Sequence, residues 1–224
     1  MNPTATIRAQ LLATEHWSLL ATRGTTQSEI LSRITTFLML VSSSIVGTAL
    51  VGQVTRFDGR FITFALVLLG VLVVIGALTQ MRVANASIED LGIVIGMNRL
   101  RAAYVQMDPG IERFLVTSAN DDDRGLWQTY NHLAGPRAIL QPLASSGTFI
   151  TFVTSGLVGA FGALVTIAIN GPGLPAAIVA AGCGLLYLCA SIWMGMRQYR
   201  RLGQHSVLFP NPGLLTIQRE AGNG

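Results

Sequence analysis

Four stretches of this chain run for 19 residues or more without an Asp, Glu, Arg or His: Ile34 to Val54, Phe61 to Thr79, Thr148 to Ile169 and Leu174 to Met194. A helix crosses a hydrocarbon core about 30 Å thick with roughly 20 residues, so each stretch is long enough to span. In lipid the backbone must satisfy its own hydrogen bonds, which selects helices. Half of the 224 residues are hydrophobic and only 12% are charged, outside the usual range of a soluble domain. The mean hydropathy of +0.52 agrees. The expected fold is all-α, a polytopic membrane protein with four transmembrane helices.

All fifteen basic residues are Arg, and their placement sets an expected orientation. Arg8, Arg23 and Arg33 precede the first span. Arg56 and Arg60 lie in the first short turn, and residues 82, 99, 101, 113, 124 and 137 lie between spans two and three. The turn "NGPGLP" has none, and Arg197, Arg200, Arg201 and Arg219 follow span four. Thirteen arginines on one side against two on the other place both termini in the cytoplasm by the positive-inside rule. No short apolar region with a small-residue cleavage site opens the chain, so no secretory signal peptide is expected. Cys183 and Cys189 lie six residues apart on one helix, which excludes a bridge between them and leaves buried, inert thiols as the expectation.

Five segments follow. Residues 1–33 form an amphipathic cytoplasmic segment, in which Ile7, Leu11, Leu12, Trp17, Leu19 and Leu20 lie among polar positions, a helix that either lies on the inner membrane face or, the preferred reading, packs on the protein. Gly24 is expected to interrupt it. Thr26 and Glu29 form a capping box for a helix that runs into span one. Residues 34–79 are a transmembrane hairpin. Residues 80–147 form a cytoplasmic helical region, because Gln80 to Met107 has no proline and carries apolar residues at helical spacing, extending span two as one long helix. Asp108-Pro109-Gly110 ends that helix, and helices near 111–117 and 124–133 complete a hairpin. Residues 148–196 are the second transmembrane hairpin, and 197–224 a cytoplasmic tail whose "HSVLFPNPGLLTIQ" is apolar enough to dock on the cytoplasmic helices or on another protein.

Arg99 and Arg101 stand out on the extended second helix. Arg99 lies 19 residues beyond Gln80, about 28 Å along a straight helix. Headgroup attraction fades within about 8 to 10 Å. The nearer countercharge is Asp121, Asp122 and Asp123 in "NDDDRG". Arg99 or Arg101 is expected to pair with this cluster and fix the hairpin. Three consecutive carboxylates do not converge on one face and lack the calcium-loop pattern, so helix capping is favoured over a metal site.

Within the membrane the most regular pattern is on span three, where Thr148, Thr151, Ser155, Gly159, Gly162, Thr166 and Asn170 recur every three or four residues. Such a stripe suits close helix packing. It also suits a narrow aqueous path. Trp193, Arg197, Tyr199, Arg200 and Arg201 make an interfacial anchor after span four. His16, His132 and His205 are scattered. No ionisable residue lies at membrane depth, which argues against an ion-coupled transporter, and no nucleophile, base or metal cluster stands at recognisable spacing, which argues against an enzyme.

"EHWSLLATRGTTQSEILSR", "GMNRLRAAY" and "DDDRG" resemble segments of a group of bacterial four-span membrane proteins with no assigned activity, over roughly residues 10 to 195. The resemblance implies the architecture and a bacterial inner membrane, and supplies no catalytic residues. A looser similarity, in layout alone, is to membrane modules of the SLATT type, suspected of forming pores in bacterial defence. The expected function is a non-catalytic assembling or accessory subunit, without cofactor or nucleic acid, that joins a second copy or another membrane protein through small-residue helix faces in the lipid bilayer. The alternative is an oligomeric pore or ion channel lined by the span-three stripe.

Overall fold

The computed structural model describes residues 3–131, 145–202 and 206–211. Within them the chain is helical, without a strand: α1 (Pro3–Thr55), α2 (Gly59–Met107), a 3₁₀ turn (Pro109–Phe114), α3 (Asp123–Asn131), α4 (Ser146–Asn170) and α5 (Leu174–Leu202). Helices α1, α2, α4 and α5 are each long and apolar enough to cross a membrane.

Two compact units divide the chain. The polar unit takes Met1–Gln27, Ala86–Leu140 and Arg201–Gly224, and the apolar unit takes Ser28–Asn85 and Gln141–Arg200. Both long helices contribute to both units, so the boundaries expected at residues 33 and 79 fall inside continuous helices.

Gly24 does not interrupt α1. A glycine inside a helix costs only about 1 kcal/mol relative to alanine. The hydroxyls of Thr22 and Thr25 bond back to the carbonyls of Ser18 and Thr22 and cap no new helix start. Glu29 likewise makes no capping box with Thr26, because its carboxylate is taken by Arg33 and Arg82.

The turn between α1 and α2 places two consecutive non-glycine residues, Arg56 and Phe57, in the left-handed region, at φ of 51° and 59°. Its bonds compensate. Phe57 N–H reaches back to Gly52 O at 3.1 Å, closing the end of α1, and Asp58 Oδ1 accepts from the N–H groups of Arg60 and Phe61 to open α2. The Phe57 ring lies where a side chain at residue 52 would stand, so any larger residue there would have to turn the exposed ring aside.

At the end of α2, Asp108 is extended before Pro109 and its carboxylate accepts from Gly110 N–H. A 3₁₀ turn over Pro109–Phe114 followed by extended Leu115 replaces the helix expected near 111–117. The helix expected over 124–133 is α3, beginning at Asp123; residues 132 and 133 lie outside the described part of the chain.

In the apolar unit Phe37 of α1, Val83 of α2 and Ile150 of α4 are buried together with Ile34. The approach of α4 to α2 depends on Gly76, where a Cβ would stand 2.9 Å from Thr154 Oγ1 and 3.0 Å from the Phe37 ring. Large side chains such as Met39, Ile45, Val67 and Leu186 face outward, the distribution expected of helices solvated by lipid.

Candidate functional site

In the polar unit the cluster at 120–123 is a junction of three segments. Arg99 Nε donates to Asp121 Oδ2 at 2.8 Å, and Arg99 Nη2 donates to the Ser206 carbonyl at 2.6 Å. The Asp121 side chain is fully buried. It also accepts from the main-chain N–H groups of Leu208 and Phe209, at 3.0 Å and 2.7 Å, while Asp121 N–H donates to Phe209 O. Burial pushes the Asp121 carboxyl up, but the bonds from Leu208, Arg99 and Phe209 and the charge of Arg99 outweigh it and hold the group below its ordinary value.

Asp122 works in two directions. Oδ1 accepts from Gly125 N–H at 2.7 Å and caps α3, and Oδ2 accepts from Asn211 N–H at 2.7 Å. Asp123 begins α3 and is exposed. Gly125 permits this packing, since a Cβ there would fall 2.2 Å from Asn120 O.

Arg101 does not join the acidic cluster. Its Nη1 donates to Asn98 Oδ1 at 2.8 Å. Asn98 is fully buried, accepts also from Thr129 Oγ1, and donates to Asn120 O, tying α2 to α3 and to the acidic loop. It was not singled out as a site residue because an asparagine on a helix carries no sign of burial. Nearby, Arg23 and Asp90 form a 2.6 Å ion pair that Tyr130 joins through its hydroxyl. Tyr104 donates to Leu12 O and stacks on His16, whose imidazole is held below its ordinary value by burial and then by the charge of Arg101.

In the apolar unit the span-three stripe packs against the chain's own α5. A Cβ on Gly159 would stand 2.7 Å from the Ala180 carbonyl oxygen, and one on Gly162 3.1 Å from Cys183 Sγ. From the other side, a Cβ on Gly184 would meet Ser155 O at 3.1 Å. Ser155 is itself buried. The hydroxyls of Thr151, Ser155 and Thr166 bond to the carbonyls of Gly147, Thr151 and Gly162, four residues back on the same helix. Thr148 pairs with Ser145, the residue that caps α4. The side chain of Asn170 lies outside the described residues.

Over this seam the outer surface of α4 and α5 forms a shallow groove, lined by the seam residues Ser155, Gly159, Ala180 and Gly184 and by Phe152, Gly156, Ala160, Ala181, Leu185 and Leu188. At Gly156 a Cβ would meet nothing within 4 Å. Cys189 is exposed, against the expectation of two buried thiols, and Cys183 is half-buried against Gly162.

In the anchor after span four, Arg197 lies over the Trp193 ring at 4.7 Å. The side chains of Tyr199, Arg200 and Arg201 lie outside the described residues, as do His132 and His205. Among the described residues no group of three or more His, Cys, Asp or Glu is placed to hold a metal ion.

A carboxylate unnoticed as a centre is Glu29. It accepts from Arg82 Nη2 at 2.9 Å and from Arg33 Nε at 2.8 Å. These two arginines, Arg82 first, hold its carboxyl down at about 2. A depressed carboxylate stabilises the fold above its unfolded value of 4.5 and loses that contribution as pH falls toward about 2. Melting of the purified protein in detergent should therefore show a gap between wild type and Glu29→Gln that is constant above pH 4.5 and closes between 4.5 and about 2.

No protein-family model, curated protein or solved structure matches this chain.

Proposed function

We propose that the protein is a non-catalytic membrane subunit that assembles with a further copy of itself through the groove on α4 and α5. The observation that carries this reading is the sparse cover of α5. No residue of α5 from 177 to 198 is buried, and the exposed groove along it is floored by small residues. In lipid, helices gain little from hiding apolar surface, so association rests on close backbone approach, which small residues permit. A small-residue face is also self-complementary, as a symmetric pair requires.

The stripe hydroxyls favour this reading over a water-lined pore. Each of Thr151, Ser155 and Thr166 is satisfied by its own helix, and Gly159 and Gly162 are used within the chain. The arginine distribution supports both termini, and with them the polar unit, on the cytoplasmic side.

The test is thiol crosslinking in native membranes with Cys183 and Cys189 replaced by alanine. Gly156→Cys should give a crosslinked species of twice the chain mass, and Leu78→Cys, on an exposed part of α2, should not. Crosslinking of Gly156→Cys to a different protein would turn the reading to an accessory subunit. A chain that stays monomeric would overturn it.

A further inference from the structure

We propose that Asp121 and Asp122 form an acceptor site for main-chain N–H groups, and that residues 206–211, bent at Leu208 and Phe209, occupy it as a releasable latch. The donors are all peptide N–H groups: Leu208 and Phe209 to Asp121, and Asn211 to Asp122. Pro210 falls at the one position between them from which no donor is needed. It also stiffens the segment and restricts Phe209 before it, which lowers the entropy lost on docking.

The side chains of the segment contribute little. Val207 and Leu208 are exposed, and Phe209 and Asn211 only half-buried. A segment held by hydrogen bonds with little apolar burial opens at a lower free energy than the core around it. The acceptor, by contrast, stays formed without the latch. Arg99 continues to hold Asp121, and Asp122 Oδ1 continues to cap α3. Release would free the chain that follows α5, of which only residues 203–205 intervene, and leave two oriented carboxylates that read main-chain N–H groups in preference to side chains.

Residue-resolved amide hydrogen exchange on the full chain in detergent tests this. The amides of Leu208, Phe209 and Asn211 should be protected. Asp121→Asn should speed their exchange by about tenfold to a hundredfold beyond whatever it adds at Ala102 and Leu126, the range for loss of charge-assisted bonds. Leu208→Pro, which removes one donor and leaves the acidic loop untouched, should also loosen the segment, and Leu208→Ala should not. Three results would each overturn the proposal: unprotected amides in the wild type, acceleration that spreads equally to Ala102 and Leu126, or a Leu208→Ala effect as large as that of Leu208→Pro.

Discussion

Arg99→Ala should destabilise the polar unit by about 3 kcal/mol, whereas Arg101→Ala, two residues away, should cost only about 1. The difference lies in what each leaves behind. Asp121 is fully buried, and without Arg99 its charge would rest on two main-chain donors alone. Removing one partner of a buried pair costs about 3 to 5 kcal/mol, and the lower end applies because the Arg99 side chain is about a third exposed. Arg101 donates to a neutral amide oxygen that keeps a second donor, Thr129, when the arginine is gone.

The effect should also carry a pH signature. The Asp121 carboxyl is held below its ordinary value in the fold, so its contribution is present above the unfolded value and is lost as pH falls through the folded one. The excess cost of Arg99→Ala should be constant near neutrality and shrink as acid protonates Asp121 in both proteins. Hydrogen exchange of the α3 amides in detergent, wild type against each variant, measures both quantities. Equal costs for the two arginines would show that Arg99 is no more than a surface pair.

The four apolar helices were legible because spanning length and absence of charge are local properties of a sequence. The long extension of α2 was legible for the same reason: no residue between Gln80 and Met107 stops a helix. Contacts over long separation were not. The spacing drew attention to Arg99 and to the aspartates, but nothing local distinguishes Arg99, which reaches Asp121, from Arg101, which reaches Asn98. The apolar tail raised docking as an expectation, yet Asp121 and Leu208 are 87 residues apart, and the bonds that join them use peptide groups every residue possesses. Glu29 was misread because its spacing from Thr26 fits a local motif, while its partner Arg82 is 53 residues away. The stripe was legible as a packing surface; its partner, the chain's own Ala180 and Gly184, depends on how the α4 and α5 hairpin closes.

That last distinction yields the other large effect. Gly159→Leu should disrupt the fold of the apolar unit itself, at about 3 kcal/mol or more, because even the first atom of a side chain would fall 2.7 Å from the Ala180 carbonyl oxygen. Backbone cannot move aside as a flexible side chain can, so α5 must shift away from α4 along its length. Gly156→Leu, one turn earlier, places its Cβ where nothing lies within 4 Å. It removes a helix-interior glycine, a change worth up to about 1 kcal/mol in favour of the helix, while it fills the groove that the proposed assembly uses. The two variants should therefore separate two properties: Gly159→Leu lowers the melting temperature in detergent, and Gly156→Leu leaves it unchanged or raised but reduces the particle to a single chain. Should Gly156→Leu instead leave the particle mass of an oligomer intact, the α4 and α5 groove is not where copies meet. Should Gly159→Leu melt like the wild type, the α4 and α5 seam is not the packing surface the geometry describes, and the stripe becomes available again to a partner or to water.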